Sequence, residues 1–160
     1  MIVLLMGVTG SGKTTVGKAL AASLGWKYLD ADEFHPATNV AKMRAGVPLD
    51  DADRQPWLET LAQLISENIH AGKSAVLACS ALKQSYRDML SITDGVRVVY
   101  LNGDRVTIAD RLRARRDHYM NPKLLESQFE TLEEPKDALE VDATLPVDAI
   151  VQRIRTALKI

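Results

Sequence analysis

Glycine, lysine and threonine residues near the start of the chain have the types and spacing needed to hold a phosphate group. Residues 7–14 match the pattern G-x-x-x-x-G-K-[ST] at every position, between an apolar run and a helical pattern. Glycines let successive backbone N–H groups turn inward around an anion, and the N-terminus of the next helix adds its positive dipole end. In this pattern Lys13 reaches the β- and γ-phosphates of a nucleotide, and the Thr14 hydroxyl binds Mg²⁺. We call residues 7–14 the phosphate loop and predict that it binds a nucleotide.

The residues expected to contact the nucleotide here are those of the loop and the first helical turn: Gly7, Thr9, Gly10, Ser11, Gly12, Lys13, Thr14 and Thr15.

A phosphate loop alone does not separate kinases from GTPases and motor ATPases. No asparagine in the chain is followed by lysine, so the N-K-x-D element of guanine-specific GTPases is absent from the sequence. The third apolar run ends in Cys79-Ser80, without the aspartate that usually closes a Walker B strand. A carboxylate for the metal must therefore come from elsewhere in the chain.

Asp30 and Asp32 follow the second short apolar run and are the best candidates for that carboxylate. Two residues apart at a strand end, they project to the same side, at the edge of a parallel sheet where ligands bind. One of them can serve the magnesium shell, and the other can orient or deprotonate an attacking hydroxyl. The simpler alternative is a helix cap or a solvated turn.

Several cations could hold an acceptor substrate. His35 follows the aspartates directly, and Arg54 lies at the start of a long helix, where it could bind a carboxylate or pair with a nearby aspartate. Lys83 and Arg87 are four residues apart, so on one helix they would share a face suited to an anionic acceptor. A packing role for His35 and a solvated face for the other two remain the alternatives.

Four arginines occur within residues 111–116, and Arg111 and Arg115 lie on one helical face. Arginine keeps its charge in proteins and binds phosphate oxygens with two donors. Because a polar segment follows, we predict a lid at about residues 115–135 that closes on the nucleotide. The alternatives are a nucleic-acid patch, which the net charge and the lack of interleaved aromatic residues disfavour, and a solvated helix face.

Short apolar runs alternate with amphipathic stretches, which predicts a single α/β domain over residues 1–160 with a parallel sheet. We expect strands at residues 2–6, 26–29, 75–79, 96–101 and 139–142. We expect helices at 13–24, 36–44, 80–90, 106–116 and 146–158, a long helix that ends at Gly72, and a weak helical centre at 122–129. In this scheme Ser80 is the N-cap of its helix.

The composition fits an ordinary soluble domain. Of the 160 residues, 46% are hydrophobic and 26% are charged. Twenty Lys and Arg residues against 21 Asp and Glu residues give a net charge of −1, which favours neither nucleic acid nor an anionic membrane as a partner. The single Cys79 excludes a disulfide within the chain and is typical of a reducing compartment, so we expect a cytoplasmic protein. No run approaches the length of a membrane span.

Taken together, these segments resemble the gluconate kinases (gluconokinases), a small P-loop kinase family related to the shikimate and nucleoside-monophosphate kinases. Six segments carry the resemblance, and they lie at residues 6–14, 29–36, 39–43, 46–57, 78–88 and 128–135. The segments at 29–36, 46–57 and 78–88 are specific to this family, whereas the phosphate loop is shared by many others.

The resemblance implies transfer of the γ-phosphoryl group of ATP to the 6-hydroxyl of D-gluconate, with Mg²⁺. It implies a P-loop NTPase three-layer α/β/α sandwich with a five-stranded parallel sheet in the order 2-3-1-4-5, a mobile lid and a homodimer. By position, Asp32 is catalytic and Asp30 lies on the metal side. The groups implied for gluconate are His35, Arg54, Lys83 and Arg87 together with Asp32. By analogy with shikimate kinases, Arg111 and Pro146 enclose the adenine, and Arg115 or Arg116 approaches the phosphates.

Two other functions remain open from the sequence. One is a related small-molecule kinase that acts on shikimate, a nucleoside monophosphate or another sugar acid. The other is a regulatory protein that hydrolyses ATP slowly and has no acceptor.

Overall fold

A computed structural model describes residues 1–114 and 122–160, and within these ranges the chain forms helices around one five-stranded sheet. The strands are β1 (Ile2–Met6), β2 (Lys27–Asp30), β3 (Ala75–Ala78), β4 (Val96–Asn102) and β5 (Leu139–Asp142). The helices are α1 (Lys13–Leu24), α2 (Ala37–Arg44), α3 (Asp51–His70), α4 (Gln84–Leu90), α5 (Arg105–Ala114), α6 (Pro122–Thr131) and α7 (Val147–Leu158). A short 3₁₀ turn covers Ala31–Phe34.

The sheet is parallel at every pairing, and its order is β2-β3-β1-β4-β5, as predicted. All five residues of β1 are buried because this strand lies at the centre with helices on both faces. Parallel pairing brings the carboxyl ends of the strands to one edge of the sheet. The phosphate loop after β1, the aspartates after β2 and the loop after β3 therefore meet at that edge.

Each face of the sheet has its own apolar core. On one face, α3 and α4 cover alternate strand residues such as Leu4 and Leu77. On the other face, α1 and α7 cover Val3, Leu5 and Val99. A third, smaller cluster joins the phosphate loop to α5 and α6 through Val8, Ile108 and Leu125. The smaller cluster places the end of the predicted lid segment against the nucleotide side of the domain.

Most predicted elements are confirmed, and the main correction concerns the segment after β3. Ser80 is not the N-cap of a helix, because α4 begins at Gln84 with Lys83 as its N-cap residue. The intervening residues form neither helix nor strand, and Ala81 has a positive φ of 43°. Pro36 and Pro146 likewise stand just before α2 and α7 as N-cap residues and not as first helical residues.

The start of α3 is fixed by reciprocal hydrogen bonds. The Asp50 side chain accepts from the Asp53 N–H at 2.7 Å, and the Asp53 side chain accepts from the Asp50 N–H at 3.1 Å. This capping box satisfies two N–H groups that the helix itself cannot pair. Lys42 in α2 donates to Asp53 at 2.6 Å, so α2 and the start of α3 are tied together beside the sheet edge.

Within the two described ranges, no helix combines the length and the apolar character needed to cross a lipid bilayer.

Candidate active site

The phosphate loop requires glycine at two positions for steric reasons. Gly10 has a φ of 80°, and a Cβ there would lie 2.8 Å from the Leu112 side chain of α5. A Cβ on Gly7 would lie 2.7 Å from the Ser11 hydroxyl and 2.9 Å from the Leu101 carbonyl oxygen. Both contacts are closer than real Cβ atoms allow, so the loop wraps tightly only because these positions lack side chains.

Polar groups inside the loop are arranged for an anion. The Lys13 ammonium donates to the carbonyl oxygens of Gly7 at 2.9 Å and Val8 at 3.0 Å, which holds its charge within the loop. The Ser11 hydroxyl is fully buried and has no hydrogen-bond partner within the described residues. A buried polar group without a partner costs free energy unless a ligand or water satisfies it, so these residues fit a bound phosphate.

A cavity of about 280 Å³ adjoins the loop. Its walls come from the loop, from α1, from the end of α5 and from the start of α7, and they include Thr15, Val16, Arg111, Leu145 and Val147. The Arg111 guanidinium donates to the Ala143 carbonyl at 2.5 Å, which fixes it on the cavity wall. The structure thus brings the predicted Arg111 to this cavity, while Pro146 stands between two of the lining residues.

Gln128 of α6 reaches the phosphate loop, a contact for which the sequence gives no local signal. Its side-chain oxygen accepts a hydrogen bond from the Thr9 N–H at 2.6 Å, across 119 residues of sequence. One donor of the loop is therefore used by the protein itself. This bond ties the helix after the predicted lid region to the nucleotide site.

Tyr28 connects Thr14 and Asp30, the two residues predicted to bind the metal ion. Its hydroxyl donates to the Asp30 carboxylate at 3.1 Å and also hydrogen-bonds the Thr14 side chain. Burial raises the pKa of Tyr28 to about 12, so the hydroxyl keeps its proton. A hydroxyl and a carboxylate are hard oxygen ligands of the kind Mg²⁺ takes from proteins, which it supplements with phosphates and water. Thr14 and Asp30 are thus linked through one hydroxyl group, and both remain the predicted metal ligands.

No group of three or more His, Cys, Asp or Glu side chains within the described ranges could hold a metal by itself.

Asp32 and His35 lie together in the turn after β2. The Asp32 carboxylate is 83% exposed and therefore open to a substrate, whereas the His35 ring is 6% exposed. The neighbouring atoms of the cleft, followed by the charge of Asp30, raise the pKa of Asp32 although its side chain is open to solvent, and the charges of His35 and Lys13 partly oppose this. Burial lowers the pKa of His35, so its ring stays neutral at pH 7.

Trp57 of α3 holds this turn in place through two contacts. Its indole N–H donates to the Ala31 carbonyl at 2.8 Å, and its ring stacks on His35 with centroids 4.3 Å apart. The Trp57 ring therefore belongs to the buried core and at the same time supports His35.

Arg54 and Lys83 meet around Tyr86 and Asp51. Lys83 donates to both oxygens of Asp51 at 2.9 Å, and the Tyr86 hydroxyl also donates to Asp51. Arg54 donates to the Tyr86 hydroxyl at 3.3 Å and has no acidic partner at ion-pair distance in the described part of the chain. The sequence had allowed Arg54 to pair with an aspartate, but Lys83 takes that place.

The prediction that Lys83 and Arg87 share a helical face suited to an anionic acceptor is wrong. Arg87 is 3% exposed, and its guanidinium donates to the carbonyl oxygens of Ala81, Leu82 and Glu133 at 2.7–3.0 Å. Lys83 precedes the helix and so does not share a face with it. Arg87 therefore supports the loop that carries Lys83, and we do not retain it as a substrate ligand.

Arg115 and Arg116, predicted to approach the phosphates, lie outside the described residues, as does part of the predicted lid at 115–135.

A parallel sheet in this order, a phosphate loop after its central strand and paired aspartates at the end of β2 define a P-loop kinase of the small-molecule class. The profile of the shikimate kinase family matches residues 9–158. A gluconokinase of Gluconobacter oxydans (strain 621H) is 48% identical over 134 residues, covering 83% of this chain and 75% of that protein. The thermoresistant gluconokinase of Escherichia coli (strain K12) is 41% identical, covering 94% of this chain and 89% of that protein. The chain belongs to the gluconokinases, within the wider shikimate kinase family.

The crystal structure of a gluconokinase from Sinorhizobium meliloti 1021 superposes with a TM-score of 0.87 at 38% identity, covering 98% of this chain and 90% of that one. The expected fold class is confirmed.

Proposed function

We propose that this protein transfers the γ-phosphoryl group of ATP to the 6-hydroxyl of D-gluconate. The observation that carries the proposal is the convergence at one sheet edge of a phosphate loop, an accessible carboxylate at Asp32 and a cationic cluster around Arg54. A slow ATPase without an acceptor has no need of the last two. Within the kinases, the cationic cluster favours an acceptor with a carboxylate.

The nucleotide would lie with its phosphates in the loop and its base in the adjoining cavity beside Arg111. Lys13 and the loop N–H groups bind and orient the β- and γ-phosphates. Thr14 and Asp30 would hold Mg²⁺ together with phosphate oxygens, and the ion would supply positive charge to balance the charge that develops on the leaving group. Asp32 orients the acceptor hydroxyl in line with the γ-phosphorus and receives its proton.

The sugar acid would extend from Asp32 toward Arg54 and Lys83. We assign its carboxylate first to Arg54, because that guanidinium presents a planar pair of donors and has no acidic partner in the described ranges. Lys83 already gives two of its three N–H donors to Asp51, which also neutralises its charge, so we expect it to contribute less. His35 completes the pocket on the Asp32 side.

We further propose that residues 115–135 act as a lid within the single domain, with Arg115 or Arg116 reaching the phosphates, and that the protein is a cytoplasmic homodimer. Lid closure excludes water, which a kinase needs to avoid hydrolysing ATP. Sedimentation of the purified chain tests the dimer directly.

The test of the main proposal is ADP release coupled to NADH oxidation, with Mg·ATP and a panel of D-gluconate, other sugar acids, shikimate and nucleoside monophosphates. We expect rapid turnover with gluconate and none with Lys13→Ala. Turnover only with another acceptor would retain the kinase and refute the assignment of the pocket. A slow rate of ADP release that no acceptor changes would refute the kinase proposal itself.

A further inference from the structure

Asn39 is a buried polar residue of α2 that connects the site to the start of α3. It is 2% exposed. Its side-chain nitrogen donates to the backbone carbonyl of Asp53 at 2.8 Å and lies 3.2 Å from Nδ1 of His35. Only the NH₂ end of an amide can donate to a carbonyl, so the bond to Asp53 fixes which way the Asn39 amide points.

This orientation determines the protonation of His35. The Asn39 nitrogen carries two hydrogens and cannot accept, so Nδ1 of His35 must be the acceptor. A neutral imidazole that accepts at Nδ1 carries its proton on Nε2. The ring cannot turn freely, because it is almost fully buried and stacks on Trp57 with an interplanar angle of 14°.

The Nε2–H group faces the predicted catalytic carboxylate. Nε2 lies 4.0 Å from Oδ1 of Asp32, which is too long for a direct hydrogen bond. Two hydrogen bonds placed end to end span about 5.6 Å, which is longer than this separation. One hydroxyl oxygen can therefore lie within hydrogen-bond distance of both Nε2 and Oδ1. Such a hydroxyl accepts from His35 and donates to Asp32. The charged groups that act on the His35 ring are Asp32 and Arg54.

We propose that Asn39 is a positioning residue that holds His35 as its Nε2–H tautomer and thereby directs the proton of the acceptor hydroxyl to Asp32. The inference rests on the proposed function, because it takes Asp32 as the group that faces the reacting hydroxyl. With the opposite tautomer, Nε2 would be an acceptor and would compete with Asp32 for the same proton. In the transfer step, the hydroxyl oxygen bonds the γ-phosphorus and the bond from that phosphorus to the β,γ-bridging oxygen breaks. The electron pair leaves with ADP, and the proton passes to Asp32.

The tautomer can be measured without turnover. The chain has three histidines, so a long-range ¹H–¹⁵N correlation spectrum of the uniformly ¹⁵N-labelled protein is simple, and loss of one set of signals in His35→Gln assigns the site. We expect a protonated Nε2 and an unprotonated Nδ1 at pH 7.5. Asn39→Asp places an acceptor opposite Nδ1 and is expected to move the proton there. A wild-type ring protonated at Nδ1, or an unchanged tautomer in Asn39→Asp, overturns the inference.

Kinetics then separate positioning from a general loss of structure. We expect Asn39→Asp to lower kcat about 10- to 100-fold, as for a misaligned reacting group, with little change in the KM for gluconate. In a His35→Gln background, the glutamine NH₂ replaces the Nε2–H donor and does not depend on Asn39. Adding Asn39→Asp to that background should therefore lower kcat much less. An equal loss in both backgrounds, or no loss in either, contradicts the role.

Asn68→Asp is the matched control, because Asn68 bonds the Leu64 carbonyl near the far end of α3. Thermal melts verify that each variant is folded. If the wild-type protein turns over no gluconate, the proposed function fails while the tautomer measurement still stands.

Discussion

Replacing Arg54 should weaken gluconate binding far more than replacing Lys83, although both are cations of the same pocket. The Lys83 ammonium is already held by both oxygens of Asp51 at 2.9 Å, so its charge is already paired and attracts a substrate carboxylate less strongly. Arg54 has only the Tyr86 hydroxyl at 3.3 Å and can turn its donors to the substrate without breaking an ion pair.

The size of the difference follows from these contacts. A hydrogen bond to a charged group contributes about 1.5–3 kcal/mol, so losing the Arg54 contact should raise the KM for gluconate about 10- to 150-fold. For Lys83, the binding free energy gained from the substrate carboxylate is partly offset because the ion pair with Asp51 weakens. Exposed ion pairs of this kind contribute little, and we expect an increase of only about 2- to 5-fold.

The assay is the coupled ADP-release reaction at saturating Mg·ATP, with Arg54→Met and Lys83→Met compared across gluconate concentrations. Methionine keeps much of the length of both side chains and removes the charge. Asp51→Asn provides the internal check, because it weakens the ion pair with Lys83. In that background, Lys83→Met should raise the KM for gluconate by a larger factor. Equal effects of the two methionine variants, or a larger effect at Lys83, would refute the reasoning.

Three further results are expected. Tyr28→Phe should raise the Mg²⁺ concentration needed for half-maximal activity several-fold, because the link between the two metal-side residues is lost. Tyr100→Phe removes a hydroxyl remote from that link and should change nothing in the same titration. Gln128→Met should raise the KM for Mg·ATP about 2- to 10-fold through loss of the bond to the phosphate loop, with the KM for gluconate unchanged. Burial lowers the pKa of His35, so the unfolded chain binds a proton there more readily, and the free energy of unfolding should fall as the pH drops below about 6.5. Urea unfolding at pH 7.5 and 5.5 should show a smaller loss for His35→Gln than for the wild type, whereas the exposed His70→Gln should behave like the wild type.

The two substrate sites are joined by the protein on the α6 side. Glu133, just beyond α6, accepts the Gln84 N–H through its side chain at 2.7 Å and accepts from Arg87 through its carbonyl at 2.7 Å. The same segment reaches the phosphate loop through Gln128. The loop after β3 and the phosphate loop are therefore both anchored to α6 and the residues that follow it.

The sequence by itself determined the elements whose information is contiguous. The phosphate loop is encoded within eight residues, since glycines at fixed spacing, a lysine and a threonine suffice to form an anion site between a strand and a helix. Apolar runs located every strand to within one or two residues. The aspartates after the second strand were found because a parallel sheet brings all strand ends of that kind to one edge.

Only the tertiary structure decided which distant side chains pair. Nothing in the local pattern tells that Gln128 bonds Thr9 or that Lys83 and not Arg54 takes Asp51, because each pair is separated by tens of residues. Arg87 shows the same limit from the other direction. Its spacing from Lys83 predicted a shared helical face, but α4 begins only at Gln84, so Lys83 lies outside the helix. Short-range periodicity fixes secondary structure, whereas the partners of polar side chains depend on how whole elements pack, and that packing is a property of the complete chain.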